Sequence, residues 1–506
     1  MQGVLMRGST YIRPATAPAM NRTFLANIIF LVFVNVLVKP FYLFAIDRQV
    51  QNVLPAGDYG VFATLFGFSF LFQIVNDFGI QGYNNRRIAQ HSHLLSKYFP
   101  DFLTLKAALG VTYAIVVLLA GWLTGYLLRY PWLLGGILFN HFLTSLLLFL
   151  RSNVSGLAMY RTDSLLSVVD RLLLIILLGS CLWIPGWRTY VKLEWFIGAQ
   201  TIALSMSCLL ALSAIRPHLD RLQLRFRPRL LLVILRQSYP YALVVFLMTL
   251  YTRLDSVMVE QLHPAGVIEV DRYASAYRLL DASNMIGFLF ATLLLPMFAR
   301  QLRAGEHPGD LAGFSARLLL SGAICLTGAV LFVRTPLMAF LYTDGDHYSA
   351  TILAWLMGSF IGVCGTYIYG TLLTANGRLM PMNRIFAASV LLNVLLNWWL
   401  IPRQGAVGAA IATFVTQMGV FLAQLWLAYQ LLPLRTQWRS VFALGTLAVL
   451  VVVFGYSLNT YTTWPWPWRF LFTGLAGLLL ALALRLFDFR GIRQLLSSNT
   501  RPKGNV

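Results

Sequence analysis

The stretch "WRSVFALGTLAVLVVVFGYSL" (438–458) holds one charged residue, Arg439, in 21 positions. At about 1.5 Å per helical residue it covers a hydrocarbon core roughly 30 Å thick. Inside lipid every backbone amide needs an internal partner, so a segment of this kind is a helix. Comparable runs recur along the chain. Fourteen spans are read, the first six near 23–46, 59–80, 102–128, 132–150, 164–184 and 194–215. The next six lie near 239–259, 273–299, 314–333, 349–373, 383–401 and 406–431, and two more near 438–458 and 467–487. Composition agrees, because only 11% of the 506 residues are charged. A soluble domain carries about a quarter. The chain is therefore read as an all-α integral membrane protein of about fourteen transmembrane helices.

Net charge is +21, with 39 Lys+Arg against 18 Asp+Glu. On a soluble chain that would suggest nucleic acid, but Lys and Arg gather in cytoplasmic loops of membrane proteins because they resist translocation. With the N-terminus taken as cytoplasmic, and a charge in the first or last four residues of a span counted with the adjoining loop, 26 basic residues fall in that segment, the alternate loops and the tail, 8 in the opposite loops, and five deeper inside spans. The threefold bias predicts both termini in the cytoplasm, with no nucleic-acid partner. Residues 1–22 are polar and basic, with Arg7, Arg13 and Arg22, and the first run after them is long enough to stay in the membrane, so no cleaved signal is expected.

The division is read as a six-helix lobe (1–215), a basic interlobe linker (216–236), a second six-helix lobe (237–431), two additional helices (432–487) and a tail (488–506). A weak internal repeat supports two pseudo-symmetric lobes. Pro55-Ala56-Gly57 recurs as Pro264-Ala265-Gly266, 209 residues on. Pro185 with Pro402, and Arg161 with Arg378, recur at a separation of 217. Six spans per lobe is an even number, so the lobes share one orientation about an axis along the membrane normal, with a cavity between them.

No cofactor or metal site is read. Cys181, Cys208, Cys325 and Cys364 lie in apolar runs without paired spacing, and His91 and His93 flank a single serine in a loop. The sequons at Asn21 and Asn153 fall in segments read as cytoplasmic and are taken as chance matches. No phosphate-binding glycine loop, nucleophile elbow or metal motif is present. ATP bound within the chain is not expected to supply energy.

Charges inside spans are costly and usually face a bundle interior or a watery cavity. Lys39 sits about 24 Å along span one and precedes Pro40, which allows a kink where a helix lines a moving cavity. Lys106, one turn inside its span, is expected to snorkel to the interface and is set aside. Arg253 and Asp255 are two apart and cannot share a helix face, whereas Arg278 and Asp281, three apart, can pair. Lys39, Arg253 and Arg278 are the candidate ligands for an anionic head such as a lipid pyrophosphate, because cations in low dielectric suit phosphate oxygens. Asp77 is read as the best lone carboxylate for proton or sodium coupling. Asp170, Arg171, Asp255 and Asp281 are candidates for ion coupling or for ion pairs within the lobes.

Four stretches, "KPFYLFAIDRQVQN" (39–52), "SYPYALVVFLMTLYTRLDSVMVE" (238–260), "YASAYRLLDASNM" (273–285) and "NVLLNWWLIPRQGAVGAAIATFVTQ" (393–417), resemble bacterial polysaccharide and O-antigen flippases. These form the polysaccharide transporter branch of the multidrug/oligosaccharidyl-lipid/polysaccharide exporter superfamily. The resemblance implies two rocking lobes that carry undecaprenyl-pyrophosphate-linked oligosaccharide between leaflets. It also implies cavity cations at Lys39, Arg253 and Arg278, contact with membrane lipids, and delivery to glycan polymerase machinery. A lipid II flippase ranks second, since its denser arginine set in span one is not seen. A multidrug antiporter would favour cavity carboxylates, and a glycan polymerase or ligase would need a larger external loop.

Overall fold

In the computed structural model the described residues are 34–35, 37–55, 57–81, 84, 88, 95–157, 159–184, 186–187, 191–219, 227–377, 379–434 and 437–486. The sequence readings at residues 1–22, at His91 and His93, at Pro185 and Arg378, and over 488–506 lie outside them.

Helices account for nearly all of the described chain. Span one (α1, residues 37–53) is helical through Pro40, then takes a π-helical form at Tyr42–Asp47 before returning to α-helix at Arg48–Val53. Proline removes one backbone donor and crowds the preceding turn. The widened π turn beyond it is the local adjustment where a simple kink was expected. Span two (α2) runs Asp58–Leu71, breaks at Phe72, resumes at Gln73–Asp77, and ends on the left-handed Phe78 (φ 47°).

The first lobe is completed by α3 (Leu95–Leu123), α4 (Pro131–Gly156), α5 (Tyr160–Trp183) and α6 (Leu193–Ile215). The second comprises α7 (Pro228–Leu262), α8 (Gly266–Arg303), α9 (Gly309–Leu341), α10 (His347–Ala375), α11 (Leu379–Gln404) and α12 (Ala406–Leu431). α7 begins well before residue 239, so the end of the stretch read as linker is helical. The additional pair is α13 (Trp438–Tyr461) and α14 (Trp466–Ala483).

Ten of these helices are long and apolar enough to cross a membrane. α1, described only in part, the broken α2, and α7 and α8 are not among them. These four meet between the lobes, joined there by Tyr126 and by Leu341 and Thr343 at the end of α9.

Each lobe buries its own aromatic core. α7–α12 close around Tyr251, Phe360 and Phe386. The first lobe holds one cluster around Phe62, Tyr113 and Phe196, and another around Phe99, Phe102 and Phe149. α13 and α14 pack on α9 through small residues. A Cβ on Gly477 would lie 2.8 Å from Cys325 Sγ, and one on Gly328 would lie 2.3 Å from Val451 Cγ1. Lipid supplies no hydrophobic drive between helices, so close backbone approach and dispersion hold such a pair.

The lobes meet along a seam at the end of the bundle that carries the α1–α2 and α7–α8 turns, where Pro55 and Pro264 occupy equivalent places. Gln51 Nε2 donates to Asp271 Oδ1 at 2.6 Å, and Gly57 N donates to Asp271 Oδ2 at 3.2 Å. Asn52 Nδ2 donates to the Leu341 carbonyl at 2.9 Å and its Oδ1 accepts from Thr343 N at 3.3 Å. Tyr126 donates to Glu260 Oε2 at 2.7 Å. α2 lies so close to α8 that a Cβ on Gly60 would fall 2.1 Å from the Val267 carbonyl oxygen, a distance no side chain tolerates.

Gly60→Val is therefore expected to hold the seam apart. An Asn52→Cys/Thr343→Cys pair, introduced with Cys181→Ala, should form a disulfide on mild oxidation. Adding Gly60→Val should reduce that cross-linking severalfold. Equal yields would mean that α2 and α8 separate without opening the seam.

Candidate substrate cavity

Between the lobes, below the seam, lies a cavity of about 450 Å³. On α8 its wall is the stripe Ala274, Tyr277, Arg278, Asp281 and Met285, the three-to-four residue spacing of one helix face. On α1 it is Lys39, Tyr42, Leu43 and Asp47, where the π turn carries the four-residue spacing from 39 through 43 to 47. Arg171 of α5 and Arg253 of α7 complete a set of four cations facing two carboxylates, Asp47 and Asp281. The cavity thus brings together Lys39, Arg253 and Arg278 from three helices in two lobes. Tyr42, Tyr59 and Tyr277 add aromatic wall.

The pairings differ from those expected. Arg278 and Asp281 share a face but not an ion pair. Arg278 Nε instead reaches across the seam to Asp47 Oδ2 at 2.7 Å, with the guanidinium over the Tyr59 ring at 4.8 Å. Its Nη1 donates to Gln51 Oε1 at 2.7 Å and to Tyr342 Oη at 2.9 Å. Asp281 lies 3.6 Å from Arg253 Nη2, and that guanidinium also sits over Tyr277 at 5.3 Å. A direct cross-lobe carboxylate wins over an (i, i+3) neighbour because both partners of the longer-range pair are desolvated, and charge attraction grows as the dielectric falls. Lys39 pairs with no carboxylate among the described residues.

Lys106 and Asp77 require correction together. Lys106 does not snorkel. Its side chain is fully buried, with Nζ 2.6 Å from Asp77 Oδ1 and donating to the Asn76 carbonyl at 3.1 Å. The break at Phe72 and the left-handed turn at Phe78 point that end of α2 at α3, which sequence spacing cannot reveal. Asp77 is therefore not a lone carboxylate. Asp170 lies 3.5 Å from Arg171 Nε, and Arg171 stacks over Tyr42 at 4.7 Å.

Arg253 and Asp255 do point to different faces. Asp255 turns into the second lobe, 1% exposed, and accepts from Tyr273 Oη at 2.9 Å, Asn397 Nδ2 at 2.7 Å and Thr413 Oγ1 at 2.5 Å. No cation within ion-pair distance answers it among the described residues. Asn393 Nδ2 and Asn397 Oδ1 beside it are buried without hydrogen-bond partners. The residues that the sequence reading missed are Asp47, Tyr59 and Asp271. Asp47 falls one residue past the end assigned to span one, and its role depends on a partner 231 positions away.

A second, larger cavity of about 820 Å³ opens beside the first, between α1, α8, α9, α10 and α14. Its wall is apolar, with Phe44, Leu289, Leu326, Leu337, Trp466 and Phe470, and it shares Lys39, Asp281 and Met285 with the charged cavity.

Two six-helix lobes around a charged cavity, with two further helices on the second lobe, define a multi-pass membrane protein with a transporter fold. The chain belongs to the polysaccharide biosynthesis protein family, whose model matches residues 24–302, more than half of its length. No curated protein matches the sequence. Among solved structures it is similar to the lipid II flippase MurJ in an inward closed conformation. That match has 14% identity and a TM-score of 0.67, over 93% of this chain and 98% of that one. It is also similar to an inward-facing multidrug resistance MATE family transporter of the MOP superfamily, at 15% identity and TM-score 0.57, over 80% and 98% of the two chains. The Vibrio cholerae MATE transporter VcmN in its bent form matches at 17% identity and TM-score 0.51, over 80% and 95%. These likenesses establish the fold.

Removing one partner of a buried pair leaves an uncompensated charge, which costs about 3–5 kcal/mol. Lys106→Ala should therefore lower unfolding stability in detergent by about 3 kcal/mol, somewhat less if water reaches the partly exposed Asp77. Lys106→Met with Asp77→Asn should recover most of the loss. If the double variant is as unstable as the single one, the pair is not what holds α2 to α3.

Proposed function

We propose that this protein is a flippase that moves undecaprenyl-pyrophosphate-linked oligosaccharide across the bacterial inner membrane by alternating access, with both termini cytoplasmic. One observation carries the reading. A cation-lined cavity opens directly into an apolar one, and Lys39 stands at their junction. That arrangement fits an amphiphile, with a di-anionic head among Lys39, Arg171 and Arg253 and a hydrocarbon chain along Phe44, Leu326 and Phe470. Four cations against two carboxylates disfavour a cationic drug as cargo. The family match to polysaccharide biosynthesis proteins supports a glycan-bearing substrate.

Arginine and lysine bind phosphate oxygens by charge-assisted hydrogen bonds that strengthen in a water-poor cavity. Lys39, with no carboxylate to displace, is the first cation available to the head. Arg253, held loosely at 3.6 Å from Asp281, can exchange partners at small cost.

The test is reconstitution in liposomes with a labelled undecaprenyl-pyrophosphate oligosaccharide, followed by its accessibility in each leaflet. Lys39→Ala/Arg253→Ala should lower the translocation rate at least tenfold with unchanged incorporation. Wild-type protein that moves only lipid II would reassign the substrate. Polymer or transferred sugar without translocation would make it an enzyme.

For energy coupling the geometry favours Asp255 over Asp77, whose charge is already answered by Lys106. Asp255, held by three neutral donors, retains the capacity to take a proton or a sodium ion. Asp255→Asn should leave downhill exchange intact while abolishing its acceleration by an imposed proton or sodium gradient. A variant that still responds to both gradients excludes Asp255 as the coupling group.

A further inference from the structure

Arg278 is the most buried cation of the cavity wall, with 3% of its side chain exposed. A guanidinium presents two edges to anions. Here the Nη1 position is filled by Gln51 Oε1 and Tyr342 Oη. The other edge, Nε with Nη2, is the fork that grips a carboxylate or phosphate through two parallel hydrogen bonds. Asp47 uses half of it. Its Oδ2 meets Nε at 2.7 Å, while Nη2 is buried and has no hydrogen-bond partner.

Asp47 cannot turn freely to fill the fork, because Tyr59 Oη donates to both its oxygens, at 3.3 Å to Oδ1 and 3.0 Å to Oδ2. It is also carried on the π-helical stretch of α1, a form that costs helix hydrogen-bond geometry and recurs at functional sites. An incompletely used fork on an arginine of the cavity wall marks a place that a better-matched anion can take.

The pair also spans the seam. Asp47, Tyr59 and Gln51 belong to the first lobe, and Arg278, Tyr342 and Asp271 to the second. Gln51 links the two parts, because it accepts from Arg278 while donating to Asp271 at 2.6 Å. Displacing Asp47 from Arg278 would therefore disturb the hydrogen bonds that keep the lobes together.

We propose that Asp47 occupies the Arg278 fork as a stand-in for one phosphate of the substrate head, and that exchange of this carboxylate for the phosphate releases the seam. This rests on the flippase reading above and adds a trigger to it. As Asp47 leaves with α1, Nε and Nη2 are uncovered together, and the phosphate takes both. The empty carrier stays latched, and only a loaded one parts its lobes. A ligand shifts a two-state equilibrium only by its differential affinity for the two states. Here the difference arises because the phosphate can fill the fork only when Asp47 is out of it.

The test uses the full chain in lipid nanodiscs, with spin labels at Leu128→Cys and Ile268→Cys on opposite sides of the seam and Cys181→Ala in the background. Both label sites are exposed, Leu128 at 73% and Ile268 at 49%. The probes are inorganic pyrophosphate and farnesyl pyrophosphate. In wild type either probe should shift part of the distance distribution to longer separations, farnesyl pyrophosphate at lower concentration because the lipid tail contributes. Asp47→Asn should show the longer separations without ligand and bind pyrophosphate about tenfold more tightly, since the competitor is gone. Asp47→Asn/Arg278→Gln, which leaves no buried charge uncompensated, should be open without ligand and unresponsive to it.

Wild-type affinity and distances in Asp47→Asn, while wild type itself binds pyrophosphate, would overturn the stand-in role and leave the flippase reading intact. Equal potency of the two probes would replace the lipid head with a free anion as the trigger. No binding of either probe by wild type would remove both the trigger and the pyrophosphate site.

Discussion

The ion pair of Arg278 with Asp47 concentrates the constraint that shapes this molecule. A charge withdrawn from water costs several kcal/mol unless a partner in good geometry answers it. This chain places ionisable groups in many of its membrane-spanning helices. Each needs an opposite charge, a set of hydrogen-bond donors, or a watery cavity, and the architecture supplies all three. Lys106 takes Asp77, Asp255 takes Tyr273, Asn397 and Thr413, and Lys39 takes the cavity. Arg278 and Asp47 take each other across the boundary of two lobes, so satisfying the charges also positions the lobes.

From this follows a division of labour among the helices. Those with lipid-compatible surfaces, α3 to α6 and α9 to α14, form the shell and the packed interiors. α1, α7 and α8 turn Lys39, Asp47, Arg253, Arg278 and Asp281 toward one another and, with Arg171 of α5 and the aromatic face of α2, line the cavity. α13 and α14 extend the second lobe through close glycine contacts, and α14 contributes Trp466 and Phe470 to the apolar cavity. A charged compartment and an oily one thereby come to share a wall, which is the shape of an amphiphilic cargo.

The seam is polar where the lobe interiors are apolar. Hydrogen bonds from Gln51, Asn52, Gly57 and Tyr126 to the second lobe can be exchanged for water with little net loss, since each contributes about 1 kcal/mol. Buried aromatic cores such as that around Phe360 and Phe386 cannot be opened so cheaply. The lobes are therefore the rigid units and the seam the part suited to open.

The sequence by itself determined the class, the fourteen helices and their pairing into two lobes. Helix length and hydropathy follow from bilayer thickness and backbone satisfaction, which are local properties. It also identified Lys39, Arg253 and Arg278 as residues of interest, because a charge in an apolar run is conspicuous wherever it points. Tertiary structure alone decided what those charges do. The spacing of Arg278 and Asp281 suggested a pair that the fold does not make, and Asp77 looked solitary until the turn at Phe78 brought it to Lys106. Asp47 looked peripheral until two lobes met around it. Electrostatic partners are chosen by distance in space and by local dielectric, and neither is encoded in spacing along a single helix.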